Sequence, residues 1–144
     1  MGQLTESGGS QQTTIMLTGI DCLVGQGVDQ RTLAHALTDC FGVAPDSVIA
    51  DHQIEDHIDT LICSPIWACW QPMSAASPWA FRLAIDGTDE CEWPQWQQRM
   101  AAFSRRLDVP VWYNDETKPF SDAMWVVAPN GQLWPDSIDC DGLT

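Results

Sequence analysis

The stretch from Trp93 to Leu107 constrains the fold more than any other, because its large apolar residues recur at steps of three and four. These residues are Trp93, Trp96, Met100, Phe103 and Leu107. The spacing places five large side chains on one stripe of an α-helix. Pro94 fits the first turn of such a helix, where its missing N–H is not needed. The pattern therefore predicts the main packing helix of the domain.

Strand patterns flank this helix, at 80–85 before it and 110–113 after it. A second helix is predicted over Gln30–Phe41, with Asp29 as its N-cap and Gly42 as its C-terminal stop. Runs of β-branched and apolar residues predict further strands. They lie at 13–20, 47–50, 58–63, 123–128 and 132–134.

Two other stretches are predicted to be irregular. Residues 51–57 are mostly charged or polar, which favours a loop between strands. Residues 64–79 contain three prolines, which disfavour a long regular element. This second stretch holds Trp67 and Trp70, which either cover an open end of the core or anchor a partner protein.

The order of the predicted elements indicates an α+β fold. It reads β-α-β-β-α-β, followed by a hairpin at Asn130 and Gly131. We expect two helices packed on one face of a largely antiparallel sheet, in a ferredoxin-like order with an added C-terminal hairpin. Residues 1–12 are predicted to be a flexible N-terminal tail, and 13–144 a single globular domain.

Charge is the most unusual property of the composition. Twenty acidic residues against six Lys and Arg give a formal net charge of −14. This excess disfavours direct binding to nucleic acid phosphates and to anionic membrane surfaces. No apolar run has the length of a membrane span. A basic protein is the natural complement, although an acidic surface also serves solubility alone.

The six cysteines give no metal or disulfide signature. They contain no Cys-x-x-Cys pair, and the N-terminus lacks the pattern of an export signal. We therefore expect a cytoplasmic protein with reduced thiols and no metal or other cofactor.

Catalysis is not expected, because no nucleophile motif or zinc-protease motif occurs. The alternative is a small enzyme that uses a carboxylate site or a thiol–imidazole pair. Such a pair would join Cys63 or Cys69 to His52 or His57.

In size, acidity, lack of an export signal and compact α+β pattern, the chain resembles bacterial immunity proteins that neutralise polymorphic toxins. The resemblance is one of general type over the whole chain and transfers no individual residues. It implies a cognate toxin, often a basic nuclease or another nucleic-acid-processing enzyme, that is blocked by docking over its active site. The composition also fits a phage-type acidic inhibitor that mimics nucleic acid against a host defence nuclease. A third interpretation is an adaptor domain without an electrostatic role.

The candidate partner-binding residues follow from the densest acidic clusters and from the tryptophans of the irregular segment. The first cluster is Asp51, Glu55, Asp56 and Asp59, and the second is Asp86, Asp89, Glu90 and Glu92. Trp67 and Trp70 are the candidate anchors. The sequence does not indicate an oligomeric state.

Overall fold

A computed structural model describes residues 15–61, 63–118 and 123–137. The tail predicted for 1–12 lies outside these residues. Within them are three α-helices, α1 (Gln30–Phe41), α2 (Ile54–Leu61) and α3 (Trp93–Leu107). The strands are β1 (Met16–Leu17), β2 (Ile20–Gly25), β3 (Val48–Ala50), β4 (Ile66–Pro72), β5 (Trp79–Gly87), β6 (Cys91–Glu92), β7 (Val111–Asn114), β8 (Ala123–Val127) and β9 (Leu133–Ser137).

Seven strands form one sheet in the order β9-β8-β7-β2-β5-β4-β3. Every neighbouring pair is antiparallel except β3 and β4, which are parallel. Strands β1 and β6 form a separate antiparallel pair, and the N–H of Trp93 donates to the carbonyl of Ile15 at 2.9 Å where α3 begins. Helices beside a mostly antiparallel sheet confirm the predicted α+β class.

Helix α1 has the bounds and both ends that its sequence predicts. The Asp29 carboxylate accepts a hydrogen bond from the N–H of Thr32 at 2.7 Å. Gly42 ends the helix with a φ of 74°, a conformation that glycine adopts without steric cost. Helix α3 also has its predicted bounds and ends at Asp108, which is left-handed with a φ of 60°.

The main core lies between α1, α3 and one face of the sheet. All five residues of the predicted α3 stripe are buried, and Trp96 is 1% exposed. The Trp96 indole N–H donates to the carbonyl of Leu17 at 3.2 Å, which satisfies its polar atom. Phe41 of α1 meets Phe103 of α3 edge-to-face, with the ring centroids 5.3 Å apart. The sheet contributes Cys22, Val24, Leu83, Ile85, Val111 and Tyr113 to this core.

The predictions for 51–63 are wrong. Residues 51–57 do not form a loop, and the described residues within 58–63 do not form a strand; the chain makes a 3-10 turn at Asp51–Gln53 and then α2. The apolar residues Ile54, Ile58 and Leu61 recur at steps of four and three, and this helical spacing prevails over the β-branched composition. The described residues therefore hold three helices rather than the predicted two.

The prediction of irregular structure for 64–79 is also wrong, because β4 occupies Ile66–Pro72. Its prolines do not interrupt the strand: Pro65 precedes it and Pro72 ends it. The first strand is displaced as well. Thr18 and Gly19 interrupt the predicted strand. Strand β2 begins at Ile20, the last residue of the predicted strand. Residues 13 and 14 lie outside the described part of the chain.

None of the helices in the described residues is long and apolar enough to cross a membrane.

Substitutions in α2 test how this helix, which was not predicted from the sequence, packs on the domain. The side chain of Leu61 is 1% exposed, whereas Ile58 is 46% exposed. Leu61→Ala is expected to lower the free energy of unfolding by about 2–5 kcal/mol, because it removes buried methyl groups. Ile58→Ala, the matched control, is expected to cost under about 1 kcal/mol. Urea denaturation measures both, and equal losses would contradict the described packing of α2.

Candidate functional site

The two faces of the sheet differ in what covers them. Side chains alternate between faces along each strand, and α1 and α3 pack on the face that carries Cys22 and Leu83. We call the opposite face the open face because α1 and α3 do not pack on it, although some of its side chains, among them Leu23, Cys69 and Val126, are buried. The strand register places on it Asp21, Leu23, Trp67, Cys69, Arg82, Ala84, Asp86 and Trp112.

A groove of about 250 Å³ lies on the open face, and we call it the acidic groove. Its lining includes the carboxylates of Asp21, Asp86 and Glu116 and the half-buried indole of Trp67. Trp67 and Asp86 are direct cross-strand neighbours on β4 and β5. The groove therefore combines three negative charges with one aromatic wall.

Short contacts hold the Asp86 carboxylate in place. Its Oδ1 accepts hydrogen bonds from the Thr18 hydroxyl at 3.2 Å and from the N–H of Gly87 at 2.8 Å. Gly19 makes this approach of the chain to β5 possible. A Cβ at Gly19 would overlap the carbonyl oxygen of Ile85 and lie 2.9 Å from Asp86 Oδ1. The two residues between β1 and β2, Thr18 and Gly19, therefore form one side of the acidic groove.

The carboxylates of the acidic groove oppose each other's ionisation. Asp21 as a whole is exposed, but partial desolvation of its carboxylate raises its pKa above the ordinary value. The nearby Arg82 charge lowers this pKa, and the charge of Asp86 raises it. Burial also raises the pKa of Glu116, and the charges of Asp21 and Asp115 add to this shift. The groove therefore holds more negative charge than its surroundings stabilise.

A second groove, of about 240 Å³, shares Asp21 and Ala84 with the first. We call it the thiol groove, because Cys69 lines it and donates its S–H to Asp51 Oδ1 at 3.4 Å. Burial, together with this hydrogen bond and the Asp51 charge, raises the pKa of Cys69 to about 12. The thiol stays protonated at neutral pH, whereas a nucleophilic cysteine needs its thiolate.

The described residues offer little support for the thiol–imidazole pair considered for an enzyme. The hydrogen-bond partner of Cys69 is Asp51, while Cys63, His52 and His57 are exposed. Within the described part of the chain, no three His, Cys, Asp or Glu residues form a group that could hold a metal ion.

The first predicted acidic cluster is divided between two places. Asp51 borders the thiol groove. Glu55, Asp56 and Asp59 are exposed on α2. The structure does not place these α2 carboxylates among the lining residues of either groove.

The second predicted cluster is also divided. Asp86 is half-buried in the acidic groove. Asp89 and Glu90 are exposed and border a separate groove of about 300 Å³, which Arg99 of α3 also lines. Glu92 is exposed at the N-cap of α3.

The two candidate tryptophan anchors have different surroundings. Trp67 lines the acidic groove. Trp70 packs against the main core and meets Phe81 edge-to-face, with the ring centroids 5.7 Å apart. Trp70 also lines the thiol groove, but the strand register pairs it with Leu83 of the core, whereas it pairs Trp67 with Asp86 on the open face.

A row of tryptophans, not singled out from the sequence, lies farther across the open face. Trp112 on β7 and Trp134 on β9 flank Val126 of β8 in the strand register, and we call these two residues the tryptophan row. Trp134 is 38% exposed. The Trp112 indole N–H donates to Asp136 Oδ2 at 3.2 Å, which fixes the ring.

Sequence reasoning also missed Asp21, Arg82 and Glu116. The position of Arg82 on the open face could have been predicted, because it lies between the buried residues Phe81 and Leu83 in a correctly predicted strand. Asp21 was missed because the first strand was placed too early. Glu116 carries no local signal, since its neighbours in the acidic groove come from distant parts of the chain.

In comparisons with known proteins, no family model, no curated protein and no solved structure matches the chain.

The raised pKa of Asp21 makes stability depend on pH. The folded protein keeps this proton to a higher pH than the unfolded chain does, so raising the pH past the ordinary value of 3.8 disfavours the folded state. Asp21→Asn removes the charge, and the variant is expected to be more stable than the wild type at pH 7. The gain in stability should disappear at about pH 3, where Asp21 is mostly protonated in both states.

Urea denaturation at the two pH values measures this difference. Asp46→Asn, which removes an exposed carboxylate outside the acidic groove, is the matched control. If Asp21→Asn stabilises the protein equally at both pH values, the charged form of Asp21 does not destabilise the folded state.

Proposed function

We propose that the protein is a non-catalytic inhibitor that binds a basic partner protein in the cytoplasm, as an immunity protein does when it covers the active site of a cognate toxin. One observation carries the proposal. The face of the sheet that α1 and α3 leave free carries a groove with three carboxylates, the half-buried Trp67 and Trp112, and the exposed Trp134.

Charge and aromatic area have separate roles in this proposal. A formal net charge of −14 attracts a basic protein and raises the rate of association. Tryptophans supply large rigid contact areas and are enriched among the residues that dominate binding energy. A usual interface removes about 1,600 Å² from solvent in total, or about 800 Å² from each partner. The chain exposes 7841 Å².

The acidic groove stands at the centre of the proposed interface because Asp86 and Glu116 are half-buried in it and its described lining holds no Arg, Lys or His. The exposed carboxylates of α2 are solvated, and solvated charges contribute little to affinity. They remain candidates for steering the partner, together with Asp89, Glu90 and Glu92. Charge reversal at Glu55 and Asp56 would slow association if α2 lies at the rim of the interface.

We also propose that a ferredoxin-like unit forms the centre of the domain. Strands β2 and β4 are joined through α1 and are separated in the sheet by β5, and β5 and β7 are joined through α3 and separated by β2. This is the arrangement of two split β-α-β units. In this interpretation β3 and α2 are an insertion, and β8 and β9 are an added hairpin.

Affinity capture from the source cell, at low and at high salt, tests the proposed function. The expected partner is a basic protein that is retained at low salt and released as salt screens the charges. The retained protein is then purified, and its activity is measured with increasing amounts of the inhibitor. Loss of activity at equimolar addition supports the proposal. A retained protein that keeps full activity when saturated would contradict it.

The variant Asp21→Asn/Asp86→Asn/Glu116→Gln tests the role of the acidic groove. Each substitution removes a charge with little change of shape, and the amide oxygen at position 86 can still accept the hydrogen bonds from Thr18 and Gly87. Association with the purified partner is expected to slow by about tenfold or more at low salt. The dependence of the rate on salt should also become weaker, as stopped-flow fluorescence can measure.

A second triple variant, Asp29→Asn/Asp46→Asn/Asp108→Asn, removes the same number of charges from exposed positions. Asparagine serves as an N-cap at position 29 and tolerates the left-handed conformation at position 108. The control should associate at nearly the wild-type rate. Equal slowing in both triples would mean that net charge alone matters and that the groove does not.

A further inference from the structure

We propose that Pro135 prevents two copies of the chain from pairing edge to edge through β9. Strand β9 lies at one end of the seven-stranded sheet, and within the described residues it pairs with β8 alone. An edge strand presents backbone N–H and C=O groups with which another strand can pair. The inference concerns the association of the chain with itself, and it goes beyond the proposed function.

Two hydrogen bonds establish which backbone groups of β9 point away from β8. The N–H of Ala128 donates to the carbonyl of Gln132 at 2.9 Å, so the backbone groups of Gln132 face β8. The N–H of Asp115 donates to the carbonyl of Ala123 at 3.0 Å, so the backbone groups of Ala123 face the β7 side of β8. Backbone groups alternate in direction along a strand, and the register of β8 and β9 is continuous. In β9 the even-numbered residues therefore bond toward β8, and the odd-numbered residues point outward.

Pro135 is the central outward residue of β9, between Leu133 and Ser137. It has no backbone N–H, so the outer edge lacks a donor at its middle. If two copies paired β9 antiparallel about a twofold axis, Pro135 of each copy would stand opposite Pro135 of the other. Two residues in that position normally exchange two hydrogen bonds. Neither bond can form when both residues are proline.

The side chains beside this edge would otherwise favour association. Leu133 is 41% exposed and Trp134 is 38% exposed, although both are large and apolar. An exposed apolar edge strand is a site of aggregation. The formal net charge of −14 also keeps copies apart, but salt screens that repulsion. The missing donor at Pro135 acts at any salt concentration.

The opposite edge of the sheet offers little to pair with. Strand β3 holds three residues and lies between two 3-10 turns, at Pro45–Ser47 and Asp51–Gln53. Ile49 and Ala50 of this strand are buried. Such short edge strands present few groups to another chain. A residue that prevents pairing therefore matters most at β9.

The variant Pro135→Thr restores the missing N–H and tests the inference by sedimentation equilibrium. Pro135 is exposed, so the substitution leaves the core unchanged. Measurement at about 1 M NaCl, where the screening length is about 3 Å, reduces the repulsion between copies. The wild type is expected to sediment as one chain of 16.0 kDa. Pro135→Thr is expected to dimerise about tenfold or more tightly than the wild type, because two backbone hydrogen bonds are gained.

Two controls separate the restored donor from the added side chain. Gln132→Thr adds the same side chain at an exposed position whose backbone groups face β8, and this variant should stay monomeric. Leu133→Pro/Pro135→Thr moves the proline to the neighbouring outward position and should also be monomeric. Pro135→Val restores the same N–H with another side chain and should dimerise as Pro135→Thr does. Circular dichroism establishes that each variant is folded.

Three results would overturn the inference. The first is a folded Pro135→Thr or Pro135→Val that stays monomeric over the whole concentration range. The second is a wild type that dimerises as tightly as these variants. The third is equal association of Pro135→Thr and Leu133→Pro/Pro135→Thr, because the contact would then not run through the edge of β9. No partner protein is present in these measurements, so their outcome is independent of the proposed inhibition.

Discussion

The packing of α1 and α3 against a single face of the sheet is the contact on which the rest of the structure depends. The apolar stripe of α3 and the inner face of α1 meet the same set of sheet residues, so the main core has one side only. The other face must then be covered locally or meet solvent. A small cluster of Leu23, Trp79 and Met124, with Met73 and Trp112 against it, covers part of that face. The acidic groove lies on the same face, outside this cluster.

Excess negative charge is the main property of the open face. Self-repulsion in a chain with a formal net charge of −14 opposes the compact state. Only two ion pairs are found within the described residues, Arg106 with Asp39 and Lys118 with Asp115. Most carboxylates of the described residues are therefore not neutralised by an ion pair within that part of the chain. In the acidic groove the raised pKa values of Asp21 and Glu116 show that water does not fully compensate them.

Local patterns predicted the two long helices, and long-range pairing decided the rest. The α1 caps and the α3 stripe are encoded within a few turns of chain, so their bounds follow from sequence. Helix α2 was missed because eight residues with three polar acids and β-branched neighbours resemble a loop followed by a strand. The grooves of the open face were only partly predictable. Asp86 and Trp67 were identified as candidates, but their contact across the sheet depends on the register of β4 and β5. Glu116 lies in the same groove only because the folded sheet brings distant parts of the chain together.

In the proposed complex, the partner covers the open face of the sheet. Carbodiimide labelling of carboxyl groups with glycine ethyl ester, read by mass spectrometry with and without the purified partner, tests it most directly. We expect labelling of Asp21, Asp86 and Glu116 to fall in the complex, while Asp46 and Asp108 are labelled as before. Unchanged labelling of the three groove carboxylates, with protection elsewhere on the surface, would contradict it.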